Sequence, residues 1–469
     1  MNHTTTTDWK QQPRDAWLAY EPSPDEPWDL TKVLRMHRRA GLGTTWADAE
    51  RDVADGYDAA IKRLLEGAPT GPDGRTAEAL DMFADAMLDS YRAGSAALDP
   101  VRIAWLHRLT FTAWPLRERM ILAWHTHYAT SETKVFEKET LVEQHLVQRR
   151  LWRAPTSELH LAMLRDSAML YWLDGASNLR SSVNENLARE FFELLALGVG
   201  NYSEQDVRES ARALTGWQRV PERTKELKYL ESMHDPGEMT ILDHTGNWRD
   251  EDVVRIASAQ PAAAQRIAWR LWRTFVSNVD EPTPELLEGL AATMRVDGDV
   301  DVSHGLETLL RSRLFHSTAY VDRRVPSPVE WTVGVLRSCE AFPPRPNLIE
   351  VSAAIDRMGQ RFFRPPNVAG WPGGMEWLAG PGLVARQNFA AWLTGGESKV
   401  PVEHWDQVRV EHQVASGDAE IEFWTTLLWG RTASSEEQAA LAEPFDQNKP
   451  DARARLVRAV LCAPNAQLC

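Results

Sequence analysis

The chain is poor in several things at once. Three cysteines in 469 residues, Cys339, Cys462 and Cys469, are too few for a disulfide framework, and no pair has zinc-ligand spacing. Free thiols in a reducing compartment are the expectation. No stretch approaches the ~20 apolar residues of a membrane span. The first thirty residues hold no apolar core of the kind an export signal needs. A cytoplasmic protein is therefore expected. A net charge of −15 leaves no basic surface of the kind that phosphate backbones require, which argues against nucleic acid. Nucleophile elbow, P-loop and dinucleotide fingerprint are all missing.

The composition is otherwise that of a globular protein, 43% hydrophobic and 25% charged, with 20 tryptophans. Apolar residues recur at helical spacing through most of the chain, and no alternation of strands and helices appears. The expected fold is all-α: a large multi-helix globular body with minor short strands or a hairpin insertion, the latter at 218–247. Residues 1–28 read as a surface arm and 29–395 as the main helical domain. Residues 396–469 read as a polar connector and a small helical subdomain.

The densest polar run lies at 184–197, read as one helix stopped by Gly198 and Gly200. At ~100° per residue, Asn186, Glu190 and Glu193 share a face, beside Leu187, Phe191 and Leu194. Carboxylates on so apolar a helix need partners, because a buried unpaired one costs several kcal/mol. Arginines would make the stripe a structural network, and a divalent metal would make it a site. His125 and His127 fall about 200° apart if their segment is helical, so one of them joins any given site. His234-Asp235 suits an oriented base, a metal ligand, or a loop that caps its own backbone. Pro365-Pro366-Asn367-Val368-Ala369-Gly370-Trp371 fixes a rigid loop in which Trp371 and Trp377 either wall a pocket or pack a core. Arg38 and Arg39 before the Gly41–Gly43 turn suit an anion, or surface pairing with carboxylates.

Several blocks resemble the domain-of-unknown-function 1800 family: RRAGLG (38–43), WHTHYATS (124–131), MLYWLDG (169–175), NENLARE (184–190), ELLALGVGNYSEQDV (193–207), ARALTGW (211–217), HDPGEMTILDHTGNW (234–248) and PPNVAGWPGG (365–374). The likeness spans nearly the whole chain and is closest to the planctomycete-type version. It implies a large, mostly helical bacterial protein without a settled activity. It also implies a sulfatase-like neighbour of the domain-of-unknown-function 1501 family. The polar motif residues that carry over are His125, His127, Asp174, Asn184, Glu185, Asn186, Arg189, Glu190, Glu193, His234 and Asp235. Met239 and Pro326 depart from the family pattern, where Lys and a basic residue are usual. Many members are exported, and this chain shows no signal.

Two functions follow as expectations. The first is an enzyme with Glu190, His234, Asp235 and Arg189 as catalytic groups and Asn184, Asn186 and Trp371 against substrate. A divalent metal held by His125, His127, Glu190, Glu193 and His234 would give it hydrolytic or redox chemistry. The second is a non-catalytic helical partner or assembly factor for the sulfatase-like neighbour.

Overall fold

The computed structural model describes residues 9, 13–92, 97–219, 227–341, 347–398, 400–443, 445 and 448–469. Among them the chain is built from α-helices, joined by short turns and decorated by three two-stranded antiparallel sheets. One pair, Trp217–Arg219 with Leu227–Tyr229, and another, Met239–Ile241 with His244–Gly246, fall in the stretch where a hairpin is expected. The third joins Arg295–Val296 to Asp299–Val300. No helix among the described residues is long and apolar enough to cross a membrane.

Local chemistry sets many boundaries. Thr45 Oγ1 accepts from the Asp48 amide and opens Trp46–Asp55. Ser203 and Asp206 form a reciprocal capping box at the start of Glu204–Ala213. Pro115 takes the first position of Pro115–His127, where its missing N–H costs nothing. Gly198 and Gly200, both at positive φ, end the polar helix.

That helix departs from the expectation of a single α-helix over 184–197. It is α-helical only over Asn186–Glu190 and continues as a π-helix over Phe191–Ala196. Its wider turns leave the Leu194 carbonyl to an arginine on another helix, Arg266, whose Nε lies 2.9 Å away. The expected connector also contains a helix, His404–Glu411, because Trp405 and Val408 give it an apolar face to bury.

The core is one continuous cluster running from Trp17 to Ala466. Most tryptophans serve it, and their indole N–H groups reach backbone carbonyls: Trp124 to Trp152 at 2.7 Å, Trp331 to Ala466 at 2.9 Å. Buried arginines are a second structural device. Arg39 donates to the carbonyls of Phe275 and Phe315 at 2.8 Å each, Arg119 to Thr274 at 2.7 Å, and Arg337 to Thr110 at 2.9 Å. All four acceptors lie in the last turns of helices, where carbonyls lack intrahelical partners and the macrodipole favours a cation. This disposes of both sequence readings of Arg38 and Arg39. They bind neither an anion nor surface carboxylates: Arg38 bonds the carbonyls of Trp429 and Leu468.

Candidate functional site: an arginine-lined cleft

Two helices cross where these arginines gather. Pro115–His127 presents Arg119, Leu122, Ala123 and Thr126, spaced to share one face. Pro261–Phe275 presents Arg270, Arg273 and Thr274, with Asn278 just beyond its end. The third side comes from Arg324, Ser327 and Glu330 at the start of Pro328–Ser338, and from Gln360. The loop carrying Trp371, Pro372, Gly373 and Trp377 closes the fourth. Together they enclose a cleft of about 90 Å³, room for several waters or one small oxyanion.

The glycines of that loop set its distance from the helices. Gly370 has φ +87°, and a Cβ there would stand 2.3 Å from the Thr126 carbonyl oxygen. Gly374 has φ +62°, and a Cβ would stand 2.6 Å from the Asn278 carbonyl oxygen. Only glycine lets the loop press on both helices at once.

The four arginines are not equally satisfied. Arg119 is buried, ion-paired to Glu330 and bonded to Thr274. Arg324 is buried and pairs with the same Glu330, while its Nη1 reaches the Cys469 sulfur at 3.2 Å. Glu330 is further fixed by the Ser327 amide at 2.9 Å. Arg273 pairs with Glu281 at 2.8 Å. Arg270 meets no carboxylate among the described residues. Its Nη2 lies 3.1 Å from His127 Nδ1, and its enclosed Nε has no hydrogen-bond partner. Burial, then the charges of Arg266 and Arg273, push the Arg270 guanidinium down to about 9, so it remains a cation at neutral pH. Arg266, Arg270 and Arg273 all lie over the Trp269 ring, at 4.8, 5.4 and 5.2 Å.

The residues singled out in the sequence are spread around this cleft. Trp371 lines it. His125 stands behind Trp371, with ring centres 5.3 Å apart, and accepts the Phe363 amide at Nε2. Burial pushes its imidazole down to about 3. His127 leaves the helix on the other side and shares a void of about 10 Å³, the size of one water, with Glu190, Leu194 and Val368. Burial and then Glu193 raise the Glu190 carboxyl. Glu193 accepts from the Tyr202 hydroxyl at 3.2 Å. Arg189 joins Glu185 at 3.0 Å and Glu204 at 2.7 Å, part-exposed. Asn184 accepts the Asn186 amide at 3.0 Å, and Asn186 Nδ2 lies 3.4 Å from Asp174.

His234 and Asp235 lie across the helix Glu204–Ala213. His234 is buried with Nδ1 3.2 Å from the Thr215 carbonyl oxygen. Asp235 accepts from Arg212 at 2.8 Å and from the Gly237 amide at 2.9 Å, and Arg212 holds its carboxyl below the usual range. Neither lines the His127–Glu190 void. The five expected metal donors thus fall in separate places: His125 behind Trp371, His127 and Glu190 at the void, Glu193 on Tyr202, His234 on Thr215. Among the described residues no group of three or more His, Cys, Asp or Glu side chains is placed to hold a metal ion. The i,i+2 spacing on a helix accounts for the divergence of His125 and His127.

Sequence reasoning missed Arg119, Arg270, Arg273 and Arg324. The available signal was the spacing of Arg266, Arg270 and Arg273 at i, i+4 and i+7 on a helix otherwise apolar, a line of like charges that burial makes costly.

Comparison with known proteins gives one match. A family model described as "Protein of unknown function (DUF1800)" matches residues 35–468. No curated protein and no solved structure matches the chain.

Proposed function

The chain belongs to the DUF1800 family, and from that premise we propose that it binds a small oxyanion, or the anionic end of a larger ligand, in the arginine-lined cleft. The observation that carries this reading is Arg270: a cation beside two others on its own helix, in a cleft, with no carboxylate to neutralise it. A confined, unpaired cation costs free energy that an arriving anion returns. Guanidinium groups suit planar or tetrahedral oxyanions, since they donate in a rigid fork. Thr126, Ser327 and Gln360 add neutral polar groups along the walls. The cleft is also a local positive centre in a protein of net charge −15, which favours capture of an anion that the outer surface repels.

Calorimetric titration with inorganic sulfate and inorganic phosphate tests the reading. Wild-type protein is expected to bind at least one of them, and Arg270→Ala to weaken that binding by about tenfold or more. Equal binding by wild type and variant overturns it.

The enzyme expected from the sequence would, on this reading, use the cleft to hold the anionic part of its substrate, where fixed cations favour charge that develops during reaction. A divalent metal remains a separate proposal, checked by elemental analysis of purified protein. The role as partner of a sulfatase-like protein draws support from a different feature, the Glu185–Arg189–Glu204 network, which is complete without a ligand. Co-purification of the two proteins tests it.

A further inference from the structure

We propose that His127 is the positioning residue of the cleft: a neutral imidazole whose Nδ1 lone pair holds the Arg270 guanidinium in place for the bound anion. The inference rests on the anion-binding reading and concerns how that site is preorganised.

The chemistry of the contact leaves little freedom. A guanidinium donates and cannot accept. With Arg270 Nη2 and His127 Nδ1 3.1 Å apart, Nδ1 must carry the lone pair and Nε2 the proton. A second proton on the ring would set two cations face to face. Burial and the charges of Arg270 and Arg266 push the imidazole well below its ordinary range, in accord with that assignment. The ring is itself fixed by packing: Tyr128 meets it edge-on at 4.7 Å, and Trp124 lies 5.7 Å away.

The position of His127 in the fold gives the contact its consequence. It is the last residue of Pro115–His127, directly after the cleft-lining Thr126. The ring therefore reaches Arg270 from behind the cleft, on the side of the Glu190 void. Arg119, Arg273 and Arg324 are each restrained by a carboxylate, which also offsets their charge. Arg270 is restrained by a neutral acceptor, which fixes its direction while leaving its charge uncompensated. An anion then meets a guanidinium already aimed, and less rotamer entropy is lost on binding.

Sulfate titration of the folded full chain, with melting temperatures alongside, decides the matter. His127→Phe keeps an aromatic ring and removes the acceptor. It is expected to weaken sulfate binding about tenfold with a melting temperature close to wild type. His127→Gln offers a side-chain carbonyl as replacement acceptor and is expected to restore binding to within about threefold of wild type. A role confined to packing predicts the opposite order. If Arg270→Ala loses binding while His127→Phe binds as wild type does, the positioning role falls and the anion-binding reading stands. If wild type binds no sulfate, both fall. Should His127→Phe fail to fold, His127→Gln decides alone: binding within threefold of wild type at an unchanged melting temperature supports the role, and a tenfold loss there overturns it.

Discussion

Arg189 and Arg119 are both arginines on short helices, each contacting carboxylate and backbone neighbours, yet they belong to different kinds of structure. Arg189 sits in the Asn/Glu/Arg stripe, one-third exposed, joined to Glu185 and to Glu204, itself two-thirds exposed. Water can replace any of these contacts. Arg119 is buried, and it joins Glu330 to the ends of two helices through the carbonyls of Thr274 and Arg39. Nothing can replace it. The difference shows that a dense polar motif need not mark the place where buried charge is concentrated. Here that place is assembled from arginines more than two hundred residues apart in the chain.

The sharpest test of the contrast is Arg119→Ala. It strands Glu330 and two helix-end carbonyls, with an expected loss of about 3–5 kcal/mol in denaturant unfolding. A loss below ~1 kcal/mol would put the cleft in the same class as the stripe. Glu118 comes next. It is fully buried and bidentate to Arg149 at 2.8 Å for both contacts. Burial pushes its carboxyl up, but the Arg149 charge and hydrogen bonds outweigh burial and hold it below the ordinary range. A depressed carboxyl gives stability that is present above its unfolded pKa, about 4.3, and lost as pH falls through the folded value. Glu118→Gln should therefore cost about 3 kcal/mol at pH 7 and flatten the acid limb of the stability curve below pH 4. Arg189→Ala in the stripe should change stability by no more than about 1 kcal/mol.

Glu190 carries the opposite sign and the smallest effect. Its carboxyl is raised by burial and by Glu193, so its contribution is present below the unfolded pKa and lost as pH rises through the folded value. Glu190→Gln should slightly raise the melting temperature at pH 7 and leave it unchanged at pH 4. A melting temperature that falls at pH 7 would show that Glu190 is paired after all.

Much of the fold can be read from the chain because caps and stops are local chemistry. Thr45 with Asp48, Ser203 with Asp206, Pro115, and Gly198 with Gly200 each act within one helical turn. The hairpin region after Trp217 was legible for the same reason. Trp371 and Trp377 could be singled out because Pro and Gly around them exclude a regular helix. The arginines could not. Arg119, Arg270 and Arg324 acquire meaning only through what faces them, and helix-end carbonyls carry no residue-type signature. Nor does the π turn at Phe191–Ala196 announce itself, since its six residues suit an α-helix equally well.

That turn has a mechanical implication. An overwide coil stores one residue more than ordinary winding needs, so a single-residue deletion between Phe191 and Ala196 would let the rod tighten. Everything downstream of the cut would then swing by about 100°. The Leu194 carbonyl would leave Arg266, and the row of guanidiniums on the neighbouring rod would lose its anchor at one end. The slack in the coil works as a phase adjuster, keeping two rods in step that would otherwise turn past one another.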